Sequence, residues 1–447
     1  MSLANIMMIR AGAGWADNAR VARFLVAAVG MVAALGVGLL VAPHERIAVL
    51  LAALGLAAGI VTVDPLLLPV LAVAGTLLVQ RVGGAPGSGV DLSDVLLGLA
   101  SLIVAPFLPW THARNLAVAV SWSVAYEAVL LISVVDHANV HSVTELGHRL
   151  FLVAGAMIVG WTAASNGRAP QAIRILFVGS GVLALLAIEH AVTLHFKPAQ
   201  WGAYQKNYIG TMMWMTIVIA HLDPPWAAIP VRLGRAVKFL CLVGLFATQS
   251  KQAIIALVAA ILVATFRQRS LRRRSKAILV ALAPLAVFAY VVAAQEVAKY
   301  SRHGNNSLQE RAVAYSAGFT VWHLGLWFGE GPRWWYLPRF AGNIQPPNIV
   351  LEALTESGII GTVALFAMLI ALIVFLGRLP RELATVGLVL VLGRTIEGIF
   401  DLYWASADGA LPWLIVGLCL GATDAARSYT DRRAATVSRS GLLPVPV

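Results

Sequence analysis

Long apolar stretches follow one another along almost the whole chain, and no soluble core can absorb so many of them. A helix needs roughly 20 apolar residues to cross the hydrocarbon layer of a bilayer. Candidate spans run over Val21–Ala42, Ile47–Val63, Leu66–Gln80, Leu92–Leu108 and Leu116–Val134. They continue over Leu150–Ala164, Ile173–Leu194, Tyr208–Leu222, Val237–Thr248, Ala253–Phe266 and Ala277–Ala294, and end with Ile359–Leu376, Leu383–Phe400 and Ala410–Ala422. Several are short, so neighbours can merge or re-enter, and the expected count is about 12–14 spans. Charged residues fill only 12% of the 447 positions. A soluble domain carries about 25%. Lipid tolerates the apolar exterior this implies, so the expected fold is an all-α, polytopic transmembrane bundle. The first stretch is long and is followed directly by others, which reads as a signal anchor rather than a cleaved leader.

The net charge of +12 raises the question of nucleic acid, and the placement of the charge answers it. Arg267, Arg269, Arg272, Arg273, Arg274 and Lys276 sit between two apolar stretches. A basic run beside a membrane span reads as a cytoplasmic anchor near anionic headgroups, so no nucleic-acid partner is expected. Arg10, Arg20 and Arg23 put the N-terminus in the cytoplasm by the same rule. Alternation from there brings Arg232, Arg235, the basic run and the tail with Arg427, Arg432, Arg433 and Arg439 inside as well. The two cysteines, Cys241 and Cys419, lie in apolar segments and read as packing. No Asp-x-Asp, phosphate-binding glycine loop or zinc-ligand spacing occurs, so no cofactor and no metal are expected.

The chain divides into residues 1–294 with most of the helices, a connection at 295–347, further helices at 348–424 and a cytoplasmic tail at 425–447. Connections longer than about 15 residues are usually functional or disordered. This one holds Trp322, Trp327, Phe328, Trp334, Trp335, Tyr336 and Phe340, too many aromatics for a linker. It reads as a folded extracytoplasmic cap with pieces lying on the interface. Most of its tryptophans are expected to form a headgroup belt, with a sugar-stacking platform as the alternative.

Polar residues gather where the cap ends. Asn348, Glu352 and Glu356 recur every four residues after Pro346 and Pro347, which suits a capped helix start with acids at its positive end. Arg394, Glu397 and Asp401 share a helix face inside an apolar stretch, where ionisable groups are either paired or functional. Glu127, Glu189 and His190 are further candidates for lining a cavity.

The stretch from Pro347 to Gly361 resembles the signature of the O-antigen ligase and polysaccharide polymerase family, His-Asn-x-x-Leu-x-x-Leu-x-Glu-x-Gly-x-x-Gly after a long periplasmic loop. Asn348, Leu351, Leu354, Glu356, Gly358 and Gly361 fall in register, and Pro347 stands where the family has histidine. Ser250-Lys251-Gln252-Ala253 resembles the family's Ser-Arg-Gly/Ala element, and Lys206-Asn207-Tyr208-Ile209-Gly210 its Asn-x-x-Gly. Arg311, Trp322 and Gly329-Glu330-Gly331 resemble its Arg, Trp and Gly-x-Gly succession. The likeness covers about Lys206 to Asp401.

The resemblance implies a GT-C-like bundle in the bacterial inner membrane that moves a glycan from a polyprenyl-diphosphate carrier to a lipid or glycan acceptor on the outer face, with no metal. It implies catalytic roles for Arg311, Asn348 and Glu356, and contact with the diphosphate or glycan for Lys206, Lys251, Arg302, Arg333 and Arg394. With Pro347 in the histidine position the base is open among Glu356, Glu352, Glu330 and His323. A non-catalytic relative, or a flippase that binds lipid-linked glycan, is the alternative class.

Overall fold

The computed structural model describes residues 64–77, 81–82, 90–195, 197–200, 204–267, 307–340, 342, 344–404 and 406–440, with positions 55 and 59. The expected spans Val21–Ala42 and Ala277–Ala294, nearly all of Ile47–Val63, the basic run beyond Arg267, and Arg302 lie outside the described residues.

The helices are α1 (Leu67–Gly75), α2 (Leu92–Val104), α3 (Arg114–Asp136), α4 (Val140–Leu150) and α5 (Ala156–Ser165). They continue as α6 (Ala169–Thr193), α7 (Lys206–Leu222), α8 (Val231–Thr248), α9 (Lys251–Arg267) and α10 (Ser307–Leu324). The last are α11 (Ile349–Arg378), α12 (Arg381–Gly398) and α13 (Ser406–Ser440). Besides them, a two-residue antiparallel pairing joins Arg81–Val82 to Val90–Asp91. Among the described residues, five helical segments are long and apolar enough to cross a membrane: Arg114–Asp136, Val140–Ser165, Ala169–Thr193, Ile349–Arg378 and Asp408–Thr430. The protein is thus an all-α, polytopic membrane protein.

Two of these segments differ from the sequence expectation, and in each the reason is polar content. The segment expected at Leu150–Ala164 starts at Val140, because Glu145 and Arg149 are buried and paired, with His148 half-buried beside Glu145, instead of facing water. The segment expected at Ile359–Leu376 is the second part of α11, whose first part carries Glu352 and Glu356. The two parts meet at Gly358, where φ is 62° and the helix kinks. An added Cβ there would lie 2.2 Å from the Trp327 carbonyl carbon, so both conformation and space call for glycine.

Short turns at 137–139, 166–168, 223–230, 249–250 and 379–380 reverse the chain between neighbouring spans. The ends of α3, α6, α8 and α12 meet the starts of α4, α7, α9, α11 and α13 at one face, which we call the mouth. At the opposite face, Arg267 closes the C-terminal end of α11 by donating to the carbonyls of Leu376 (3.0 Å), Gly377 (3.1 Å) and Leu379 (3.1 Å). The most extensive packing is between α13 and α5. Glycine permits it: a Cβ at Gly160 would sit 2.1 Å from the Leu414 oxygen, at Gly417 2.3 Å from the Met157 oxygen, and at Gly421 2.5 Å from the Trp161 oxygen. Gly417 and Gly421 are four apart, the spacing that lets membrane helices approach backbone to backbone. The Gly417→Leu variant should lose the monodisperse, folded species in detergent size-exclusion chromatography. An overpacked core alone loses about 1–3 kcal/mol, and here the obstacle is backbone.

Candidate functional site

At the mouth the turn after α12 gathers residues from four helices. Arg311, on α10, donates through Nη1 to the Phe400 carbonyl. Asn348 does two things at once. Its Oδ1 accepts from the Val350 and Leu351 amides (2.9 and 3.0 Å), capping α11, and its Nδ2 donates to the Ile399 carbonyl at 2.8 Å. Gln252, one residue after Lys251 on α9, donates to Asp401 Oδ2 at 2.5 Å. Lys206, the first residue of α7, lies within electrostatic reach of Lys251, Arg311 and Asp401. Asn207 and Ser250 bring α7 and α9 together at 3.4 Å.

The mouth therefore holds three cations, one carboxylate and the starts of α7 and α9. Helix starts present unpaired N–H groups and a positive dipole end, so this arrangement favours an anion. Lys251 is exposed, while Lys206, Arg311, Asn348 and Asp401 are partly so. Desolvation of Asp401 in its turn raises its carboxyl above the usual range, and Arg394 opposes that rise.

Arg394 lies beneath the turn, 1% exposed. It pairs with Glu397 (3.2 Å) and Asp408 (3.3 Å) and donates to the carbonyls of Leu402 (2.8 Å) and Tyr403 (2.9 Å). Glu397 in turn accepts from Thr211 Oγ1 (2.6 Å) and Trp214 Nε1 (3.1 Å) on α7. Arg394 thus pins the turn that presents Asp401, and its own head is closed off from the mouth.

Glu356 and Arg333 belong to a separate, sealed cluster. Arg149 Nη2 meets Glu356 Oε2 at 2.5 Å and Glu352 Oε1 at 3.7 Å, while its Nε meets Glu145 Oε1 at 2.9 Å. Arg333 Nε donates to Glu145 Oε2 at 2.6 Å, and its backbone amide donates to Glu356 Oε1 at 3.2 Å. The Arg149 head also lies over the Trp404 ring, 4.7 Å from its centroid. Glu352 and Glu356 have no exposed surface. This cluster fastens the cap and the first part of α11 to α4.

Of the proposed site residues, Lys206, Lys251, Arg311 and Asn348 come together, with Asp401 added. Glu356 and Arg333 sit in the sealed cluster, Arg394 supports the turn from below, and Arg302 is outside the described residues. Elsewhere in the cap, Glu330 pairs with Arg339, and His323 is exposed and bonded to the Phe319 carbonyl. Trp334 forms a small cap core with Val321 and Phe340, while Trp327 is exposed. Sequence reasoning missed Glu145, Arg149 and Asp408. A Glu and an Arg four apart beside an apolar stretch were the available signal for the first two. Among the described residues, no group of three or more His, Cys, Asp or Glu is arranged to hold a metal ion.

Removing one partner of a buried ion pair strands the other charge, typically at a loss of about 3–5 kcal/mol. Arg149→Met should therefore lower the thermal unfolding midpoint in detergent sharply. Glu356→Gln should be less damaging in the Arg149→Met background than in the native chain, and equal effects in both would contradict the pairing.

No curated protein matches the chain. Residues 236–366 match the family model described as O-antigen ligase, a stretch that runs from α8 through the cap into α11 and contains Lys251, Arg311 and Asn348. The chain is accordingly a multi-pass membrane protein in which one segment, residues 236–366, is similar to the O-antigen ligase family.

Proposed function

We propose that the protein transfers a glycan from a polyprenyl-diphosphate carrier to a lipid or glycan acceptor, at a mouth that opens on the outer face of the bacterial inner membrane. The observation that carries this reading is the gathering of Lys206, Lys251, Arg311 and two helix starts around one half-buried carboxylate, Asp401. Basic residues at the opposite face, among them Arg232, Arg235, Arg381 and Arg427, support the orientation, with both termini cytoplasmic.

In the reaction the bond between the sugar anomeric carbon and the carrier diphosphate breaks, and a bond from that carbon to an acceptor oxygen forms. The diphosphate leaves with the electron pair, and the cations stabilise its growing charge. Lys251 acts as a mobile point charge and Arg311 as a planar donor fixed by the Phe400 carbonyl. The acceptor hydroxyl proton needs a base. Glu352 and Glu356 are sealed away, and Asp401 is the carboxylate at the mouth, so we assign the proton to Asp401. Asn348 acts as a positioning residue, since it caps α11 and holds the same turn.

Lys251→Ala and Arg311→Ala should each reduce transfer about 10²-fold, the scale of losing one group that stabilises developing charge. The measurement is glycan transfer by purified protein in liposomes, with size-exclusion profiles unchanged. Full transfer by both variants would remove the mouth as the active site. Pro347→His should bring no gain.

The pH profile offers a separate check. Transfer needs Asp401 ionised, and burial raises its carboxyl, so activity should fall as pH drops through a value above the ordinary carboxylate range. Asp401→Asn should be inactive across the profile, whereas an Asp401→Glu variant that retains activity should show a shifted acid limb.

A further inference from the structure

The cap carries an 18-residue stretch, 312–329, without a single Asp, Glu, Lys or Arg, between Arg311 and Glu330. Its end leaves large apolar side chains uncovered: Leu324 is 64% exposed, Leu326 42%, Trp327 61% and Phe328 41%. In water such a tip would be an adhesive patch. Its depth relative to the membrane can be read from α11. The kink at Gly358 leaves Ile359–Arg378 as the straight part of that helix. At 1.5 Å per residue this part is about 30 Å long, the thickness of the hydrocarbon layer. Ile359 therefore marks the edge of that layer.

The tip is bonded to this very edge. The Ile359 amide donates to the Leu326 carbonyl at 3.0 Å and the Ile360 amide to the Trp327 carbonyl at 3.2 Å. The exposed apolar surface of α11, with Ile360 and Val363, continues directly from the tip. These residues face lipid because the helix crosses it. We propose that the Leu324–Phe328 elbow is inserted in the bilayer as a wedge, so that the occupant of this apolar surface is the lipid itself. The elbow continues into Glu330 and Gly331, whose amides donate to the carbonyls of Thr355 (2.8 Å) and Glu356 (3.0 Å). Seating the wedge in lipid thereby sets the height of the first part of α11 and of its cap residue Asn348.

The test uses the full chain in phosphatidylethanolamine–phosphatidylglycerol vesicles, with Cys241 and Cys419 replaced by alanine. Single cysteines at Leu324, Trp327 and Phe328, and at Arg339 elsewhere on the cap, carry an environment-sensitive fluorophore. Labels on the elbow should emit at shorter wavelength, be quenched by lipids spin-labelled on the acyl chain and escape aqueous iodide, while the Arg339 label should show the opposite. Iodide quenching of all three elbow labels to the level at Arg339 would overturn the proposal. So would shielding of those labels from both quenchers with cross-linking between two copies, which would make the elbow a subunit interface.

Discussion

A charged group buried in a helix bundle must find its counter-charge inside the protein, and two arginines organise this structure on that condition. Arg149 and Arg394 are each 1% exposed, and each is ringed by acids from separate elements. An isolated charge in such a medium is far too unfavourable to persist, so the acids are held at fixed positions. The first ring fastens the cap and α11 to α4. The second holds α7, α12 and the start of α13 around one turn. The mouth lies where these two constraints meet, and its exposed cations have a rigid floor because the buried ones are satisfied.

Asn348 shows how a sequence signal for structure and one for function can be the same atoms. As a cap it satisfies two amides of α11, and as a donor it grips the Ile399 carbonyl. The polar face expected from Asn348, Glu352 and Glu356 exists, but its members part company. Asn348 reaches the mouth, and the two glutamates turn inward to Arg149. A period of four places residues on one helix face and says nothing about what that face meets.

The helical, polytopic fold was legible from the length and lack of charge of the apolar stretches. The grouping of Lys206, Lys251, Arg311 and Asn348 in one site was also available, as what the family resemblance implies. Boundaries were less legible wherever ionisable residues extend a helix past its apolar run, as at Val140 and again at Ile349. The partition of acids into sealed and accessible could not be read, because it depends on Arg149, some 200 positions before Glu356 in the chain (207 apart). Hydropathy treats such a pair as two penalties, whereas the folded chain cancels one with the other.

The glycine seam between α5 and α13 bears on how the protein is made. Trp161 and Asp424, bonded across that contact, are 263 residues apart, so the surface of α5 is exposed to lipid or to a helper protein for most of synthesis. Local contacts form early in folding and distant ones late. α13 is made long after α5, so this seam closes only once that later helix has emerged from the ribosome. A nascent chain stalled before α13 would present the narrow groove at Gly160, which Leu414 otherwise fills, to the membrane.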